Sequence, residues 1–259
     1  MIKVGIIGGS GFYEFDFLGK EGEVLRTPFG SAQLFKGEFK EREVYFLPRH
    51  GKEHSFPPHL INYRANIWAL KEKGVQRILA TSAVGSLKEE VTPGTFVLPD
   101  QFIDFTKGRE STFFKEGEVY HVDLTEPYCP ELRGLIADVC RGEGIKVVPK
   151  GTYVCTEGPR FETKAEIRAF SLLGGDLVGM TGYPEVALAR EVEICYASLA
   201  IVTNLAAGIS GEKITAEEVM EMMEEKIELA RRIFLKVIEA LPEERRCSCS
   251  EALKGAKAT

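Results

Sequence analysis

The stretch Ile2-Lys3-Val4-Gly5-Ile6-Ile7-Gly8-Gly9-Ser10-Gly11 opens the chain with an apolar run that ends in a cluster of glycines. Residues 2–7 read as a strand, and the glycines after it as a corner. Working outward, further strand-like runs cover 23–26, 32–39 and 43–47. Residues 58–73 then predict a helix, with Leu60, Ala65, Ile67, Trp68 and Leu70 as its apolar positions and Gly74 as its stop. Strands are expected at 75–82, 95–103, 146–156, 177–180 and 194–203, and helices at 130–142, 163–173 and 184–191. Strands alternating with helices imply a layered α/β fold.

The last helix is the most sharply marked. Thr215 followed by Glu218 forms a capping box. Val219, Met222, Met223, Ile227, Ala230, Phe234, Val237, Ile238 and Leu241 then recur at helical spacing up to Pro242. The methionines read as core packing. No repeat or linker divides the chain, so a single domain over 1–242 is expected. Residues 243–259 read as a charged, loosely ordered tail that carries Cys247-Ser248-Cys249.

Composition narrows the function. The chain has 259 residues, with 33 basic against 39 acidic side chains and a net charge of -6. Without a basic surplus, nucleic acid and anionic membranes are poor partners. No apolar run approaches the ~20 residues that span a bilayer. The N-terminal run passes into glycines rather than a cleavage site. The expectation is a soluble, cytoplasmic protein. Only three Asn and three Gln accompany 28% charged residues, a pattern of heat-adapted proteins. The six cysteines are Cys129, Cys140, Cys155, Cys195, Cys247 and Cys249, and they show no pair of zinc knuckles. Cys247 and Cys249 read either as a small disulfide or as two thiols without a role.

Several corners carry chemistry. Gly5 to Gly11 can bring backbone amides close to an anion, with the Ser10 hydroxyl beside them. A plain tight turn is the alternative. The spacing matches neither the dinucleotide fingerprint nor the P-loop, which argues against a nucleotide-cofactor oxidoreductase. In Pro48-Arg49-His50-Gly51-Lys52-Glu53-His54, Arg49 offers a planar fork suited to phosphate, with His50 beside it. Gly51 and the nearby prolines oppose a helix that would pair His50 with His54 on a metal. Thr81-Ser82-Ala83-Val84-Gly85-Ser86 falls where a strand is expected to end, a usual place for ligands in α/β sheets. Glu157-Gly158-Pro159-Arg160-Phe161-Glu162-Thr163 precedes a helix, and Glu162 there also reads as an ordinary acidic first-turn residue. Gly179-Met180-Thr181-Gly182-Tyr183-Pro184-Glu185 is a second strand-to-helix corner. Asn204 ends an apolar strand and needs a partner or a ligand.

Taken in order, these pieces resemble the trimeric purine nucleoside phosphorylase and methylthioadenosine phosphorylase family. The strings that carry the resemblance are Ile6 to Gly11, Arg49-His50-Gly51, Asn66-Ile67-Trp68-Ala69-Leu70-Lys71, Glu126-Pro127-Tyr128-Cys129-Pro130, Glu157-Gly158-Pro159-Arg160-Phe161 and Pro184-Glu185-Val186. They extend from Gly5 to about Leu241. The resemblance implies a mixed central sheet flanked by helices. It also implies reversible phosphorolysis of a nucleoside to free base and ribose 1-phosphate, with inorganic phosphate as co-substrate and neither cofactor nor metal. By similarity, Ser10, Arg49, His50, Ser82, Ala83 and Thr181 would hold phosphate, Phe161 would stack on the base, and Met180 would lie against the ribose. His121 resembles a residue supplied to a neighbouring subunit's site, which implies a homotrimer or a dimer of trimers.

Substrate choice turns on two positions. The methylthioadenosine branch carries Asp-x-Asp where this chain has Asn204-Leu205-Ala206, and a small hydroxyl residue where it has Glu162. The 6-oxopurine branch carries Glu and Asn, as here. Hypoxanthine and guanine present a donor at N1 and an acceptor at O6, which match the Glu162 carboxylate and the Asn204 amide. Adenine presents the opposite pattern. The expectation is a 6-oxopurine nucleoside phosphorylase, with the methylthioadenosine enzyme as the alternative. Ala216 resembles the position facing the 5′ substituent and offers no hydrogen bond to a 5′-hydroxyl, so methylthioinosine also suits this reading.

Overall fold

The computed structural model describes residues 1–258 apart from Ser10, Gly11, Tyr13, Glu14, His54 and Glu212. The expectations placed on Ser10 and His54 therefore lie outside the described residues. The chain forms β1 (Lys3–Gly8), β2 (Glu23–Thr27), β3 (Gly30–Phe39), β4 (Arg42–Pro48), α1 (Tyr63–Glu72), β5 (Arg77–Ser86), β6 (Phe96–Val97), β7 (Gln101–Phe105) and α2 (Pro130–Gly142). There follow β8 (Val147–Val148), β9 (Thr152–Thr156), α3 (Lys164–Leu172), β10 (Leu177–Gly179), α4 (Gly182–Glu191), β11 (Cys195–Leu205) and α5 (Ala216–Ala240). This is the expected α/β fold with a mixed central sheet.

Alternation along the strands sorts the core into two layers. On one face Val4, Ile6, Phe46, Leu79, Ala197, Leu199 and Ile201 meet α2 and α5. On the other, Ile7, Tyr45, Leu47, Ile78, Ala80 and Tyr196 meet α1 and α4. The α5 face buries Met223, Ile227, Ala230, Phe234, Val237 and Ile238, and the Thr215–Glu218 capping box is formed as expected.

Four boundaries depart from the sequence expectation. The helix over 58–73 divides, because Asn62 caps a new helix through its side chain, which accepts from the Ala65 N–H. The strand over 95–103 breaks at Pro99, and the one over 146–156 breaks around Pro149 and Gly151. Proline gives no ladder hydrogen bond. Each break lets the chain change partners: β6 pairs with β11 and β8, whereas β7 and β9 pair with each other. The tail beyond Pro242 is not loose. Cys249 is 2% exposed, and the tail closes onto residues 119–121 through a Tyr120–Lys257 bridge.

The fourth departure shapes the site. β5 does not end at Ser82 but runs on to Ser86, with β11 parallel along its full length. Its other edge pairs with β1 only as far as Ala80, and with β10 at Gly85 and Ser86. Among the described residues, no strand occupies that edge over 81–84. Backbone groups there are left to side chains, water or a ligand; the Thr81 carbonyl accepts from Arg49 and the Val84 carbonyl from the Thr203 hydroxyl.

Candidate active site

The gap in the β5 ladder is the floor of a pocket. Gly9 follows β1, Arg49 and His50 follow β4, and Ser82, Ala83, Val84 and Gly85 belong to β5. β1, β4 and β5 are neighbours in parallel, so these groups converge at the carboxyl ends of the strands. The glycine corner is required by packing: a Cβ at Gly8 would fall on the Phe12 carbonyl oxygen and lie 2.6 Å from the Phe46 ring. Gly9 donates its N–H to the Thr81 hydroxyl at 3.3 Å.

Arg49 is 2% exposed. Its Nε and Nη2 donate to the two carboxylate oxygens of Glu185, each at 2.8 Å, and Nη1 donates to the Thr81 carbonyl at 2.8 Å. Burial alone would lower its pKa, but the Glu185 carboxylate outweighs that and keeps the guanidinium charged. Glu185 is fully buried and also accepts from the Tyr196 hydroxyl at 2.6 Å. The ion pair fixes the plane of the fork, while one hydrogen on each of Nη1 and Nη2 lies outside these bonds. His50 is held by Nδ1, which donates to the Phe56 carbonyl at 2.8 Å. Thr181 borders the same space just before α4, whose first turn is interrupted by the extended Tyr183 (φ -117°, ψ 139°).

The other end of the pocket is built by the β9–α3 corner and the end of β11. Glu162 does not enter the first turn of α3. Thr163 is the cap, and Glu166 completes its capping box. Glu162 instead points back to accept from the Thr156 hydroxyl at 2.7 Å. Burial pushes its carboxyl above the ordinary value, partly opposed by that hydrogen bond. A register shift in β11 between Val202 and Asn204 re-aims the strand end. The Asn204 oxygen accepts from the Thr203 hydroxyl at 2.9 Å, and its nitrogen donates to the Leu205 carbonyl at 3.0 Å. Arg109 braces the corner from beneath, donating to the carbonyls of Thr156, Glu157 and Tyr183.

Of the residues singled out in the sequence, Arg49, His50, Ser82, Ala83, Phe161, Glu162, Met180, Thr181, Asn204 and Ala206 line this one pocket. Leu205 contributes its carbonyl to Asn204 but does not line it. Ala216 lies exposed at the start of α5, and Ile214 and Val219 border the pocket there instead. His121 is also outside, with its backbone N–H on the Ala256 carbonyl at 2.8 Å. Sequence reasoning missed Glu185 as the partner of Arg49. Its place between Pro184 and an apolar run was the available signal, since an acid there must find a buried cation.

A charged arginine beside a strand edge that is unpaired among the described residues, facing a half-buried carboxylate and an amide across one pocket, suits an anion and a polar ring together. The chain belongs to the phosphorylase superfamily, whose pattern matches residues 3–239. It is an enzyme of glycosyl transfer. Over 99% of both chains it is 56% identical to the 6-oxopurine nucleoside phosphorylase of Pyrococcus furiosus. It is 51% identical to a probable S-methyl-5′-thioinosine phosphorylase of Methanopyrus kandleri, over 99% of this chain and all of the other. The methylthioadenosine phosphorylase of Schistosoma mansoni, solved with adenine, superposes with a TM-score of 0.92 at 36% identity, covering 100% of this chain and 99% of that one.

Proposed function

We propose that this enzyme carries out reversible phosphorolysis of 6-oxopurine nucleosides, inosine and guanosine, releasing the base and ribose 1-phosphate. The observation that carries the reading is the presence of Glu162 and Asn204 in the pocket that also holds Arg49 and His50. Phosphate sits against Arg49, His50, Thr181 and the Ser82–Ala83 edge of β5, in part through backbone amides, and the family resemblance adds Ser10 as a further donor. Inorganic phosphate is the co-substrate, and the reaction needs no cofactor. Phe161 stacks on the base and Met180 lies against the ribose.

The glycosidic C1′–N9 bond breaks with its electron pair leaving on the purine. The ribosyl carbon becomes oxocarbenium-like and is captured by a phosphate oxygen, which forms the new C1′–O bond. Negative charge developing on the purine is met by the Asn204 amide nitrogen, which donates its second hydrogen to the base, while Glu162 accepts from N1–H and so selects and orients the ring. Such interactions matter most where charge develops in the transition state. Adenine reverses the donor pattern, and each mispaired buried group costs about 1–3 kcal/mol.

A second reading concerns the 5′ end. Ile214 and Val219 give the pocket an apolar border at the start of α5, which favours a 5′-methylthio group alongside a 5′-hydroxyl. Methylthioinosine satisfies both ends. The enzyme acts in the cytoplasm as a homotrimer or dimer of trimers, with His121 serving a neighbour's site. The test is a specificity swap. Glu162→Ser combined with Asn204→Asp is expected to move preference from inosine toward adenosine. An unchanged inosine-to-adenosine ratio of kcat/KM would refute the assignment of these two residues.

A further inference from the structure

Four of the six cysteines meet far from the pocket. Cys129 is the cap of α2, Cys195 opens β11, and Cys247 and Cys249 come from the tail; Cys129, Cys195 and Cys249 are buried and Cys247 partly so. Their four Sγ atoms all lie within 4.8 Å of one another. The Cys195–Cys247 separation is 3.3 Å. A disulfide needs about 2.05 Å between two sulfurs, and all four of these cysteines are free. A tetrahedral metal centre with metal–sulfur bonds of about 2.3 Å needs all six sulfur–sulfur distances near about 3.8 Å. Separations that all fall within 4.8 Å, one of them 3.3 Å, put the four sulfurs within reach of one such ion.

We propose that Cys129, Cys195, Cys247 and Cys249 form a structural zinc site. The sequence hides it because only Cys247 and Cys249 are close in the chain, and the fold supplies the other two. Four thiolates around a divalent ion leave a net negative charge, and the surroundings answer it. Cys129 sits at the positive end of α2, where its sulfur accepts from the Leu132 N–H at 3.4 Å. Arg190 adds a positive charge toward Cys249. With four protein ligands no position is open to substrate, so the site is structural rather than catalytic. Cys195 and Asn204 stand at opposite ends of β11, about 30 Å apart at the usual strand rise.

The zinc would fasten the tail to the body of the molecule. Beyond Cys249 the tail pairs with the 119–121 segment, the Ala258 N–H donating to the Val119 carbonyl at 2.9 Å. Fixing Cys247 and Cys249 therefore also secures the segment that carries His121.

The test needs no activity assay. The full chain is purified anaerobically without reductant or chelator, and its metal content, accessible thiols and disulfides are measured. About one zinc per chain is expected, with four thiols protected from a thiol reagent until the protein is denatured. Cys247→Ser and Cys249→Ser should lose the zinc, and Cys140→Ala, outside the cluster, should keep it. Reduced chain freed of metal should take up Zn(II) stoichiometrically, and Co(II) should give the absorption of a tetrahedral tetrathiolate. Wild-type protein that neither carries zinc nor takes up either ion, or whose four cysteines are isolated as two disulfides, overturns the proposal. Since wild-type metal content decides it, a variant that fails to fold does not blunt the test.

Discussion

In the proposed function, Glu162 is the residue on which substrate choice rests. Its carboxyl is raised by burial, so the charged form that accepts from N1–H is lost at a higher pH than for an exposed glutamate. The acid limb of kcat/KM for inosine should accordingly lie above the usual carboxylate range, with activity falling as pH drops through it. Glu162→Gln should remove that limb and lower kcat/KM for inosine about 10- to 100-fold, the worth of one charged hydrogen bond. A pH–rate profile of both proteins checks this, and an identical acid limb in the variant would count against it. The chemistry of Glu162 and Asn204 was legible in the sequence because residue type fixes donor and acceptor. Their aim was not: the sequence allowed Glu162 in the first turn of α3, and only the Thr163–Glu166 capping box frees it to face Thr156 and the pocket.

Elements place these side chains, and the Arg49–Glu185–Tyr196 cluster joins three of them: the turn after β4, α4 and β11. Removing one partner of a buried ion pair strands the other charge. Glu185→Ala should therefore cost about 3–5 kcal/mol and lower the melting temperature on the order of 10 °C. Glu185→Gln, which keeps shape but not charge, should raise KM for phosphate more than it alters that for inosine. Steady-state kinetics with each substrate varied separates the two. The α3 cap gives a pH prediction from a shift opposite in direction to that of Glu162. Glu166 is lowered from 4.5 to about 2 by Arg160 and by the Thr163 N–H. The stability it contributes is present above its unfolded value and fades as pH falls toward about 2. Acid unfolding of Glu166→Gln should lose that part of the pH dependence. Strong local signals such as the Thr215–Glu218 box and the α5 periodicity were readable in the sequence. The breaks at Pro99 and Pro149, and the continuation of β5 to Ser86, depended on which strand becomes whose neighbour, a long-range matter that local pattern does not encode.

At the scale of the whole molecule, one edge of β5 that no strand covers over 81–84 among the described residues floors the pocket, and two core layers hold it in place. The tail, which charge and Pro242 made look loosely ordered, packs Cys249 into the core and closes on the 119–121 segment. Truncation after Pro242 should lower thermal stability and disturb subunit assembly, read by calorimetry and by solution mass against the intact chain. An unchanged melting temperature and mass would show that the tail only rests on the surface. The central claim is most directly tested by product release from inosine, guanosine, adenosine and methylthioadenosine, each with and without phosphate at elevated temperature. The account predicts hypoxanthine and guanine only when phosphate is present, with adenine far behind from either adenine nucleoside. Cleavage indifferent to phosphate, or methylthioadenosine cleaved best, would contradict it.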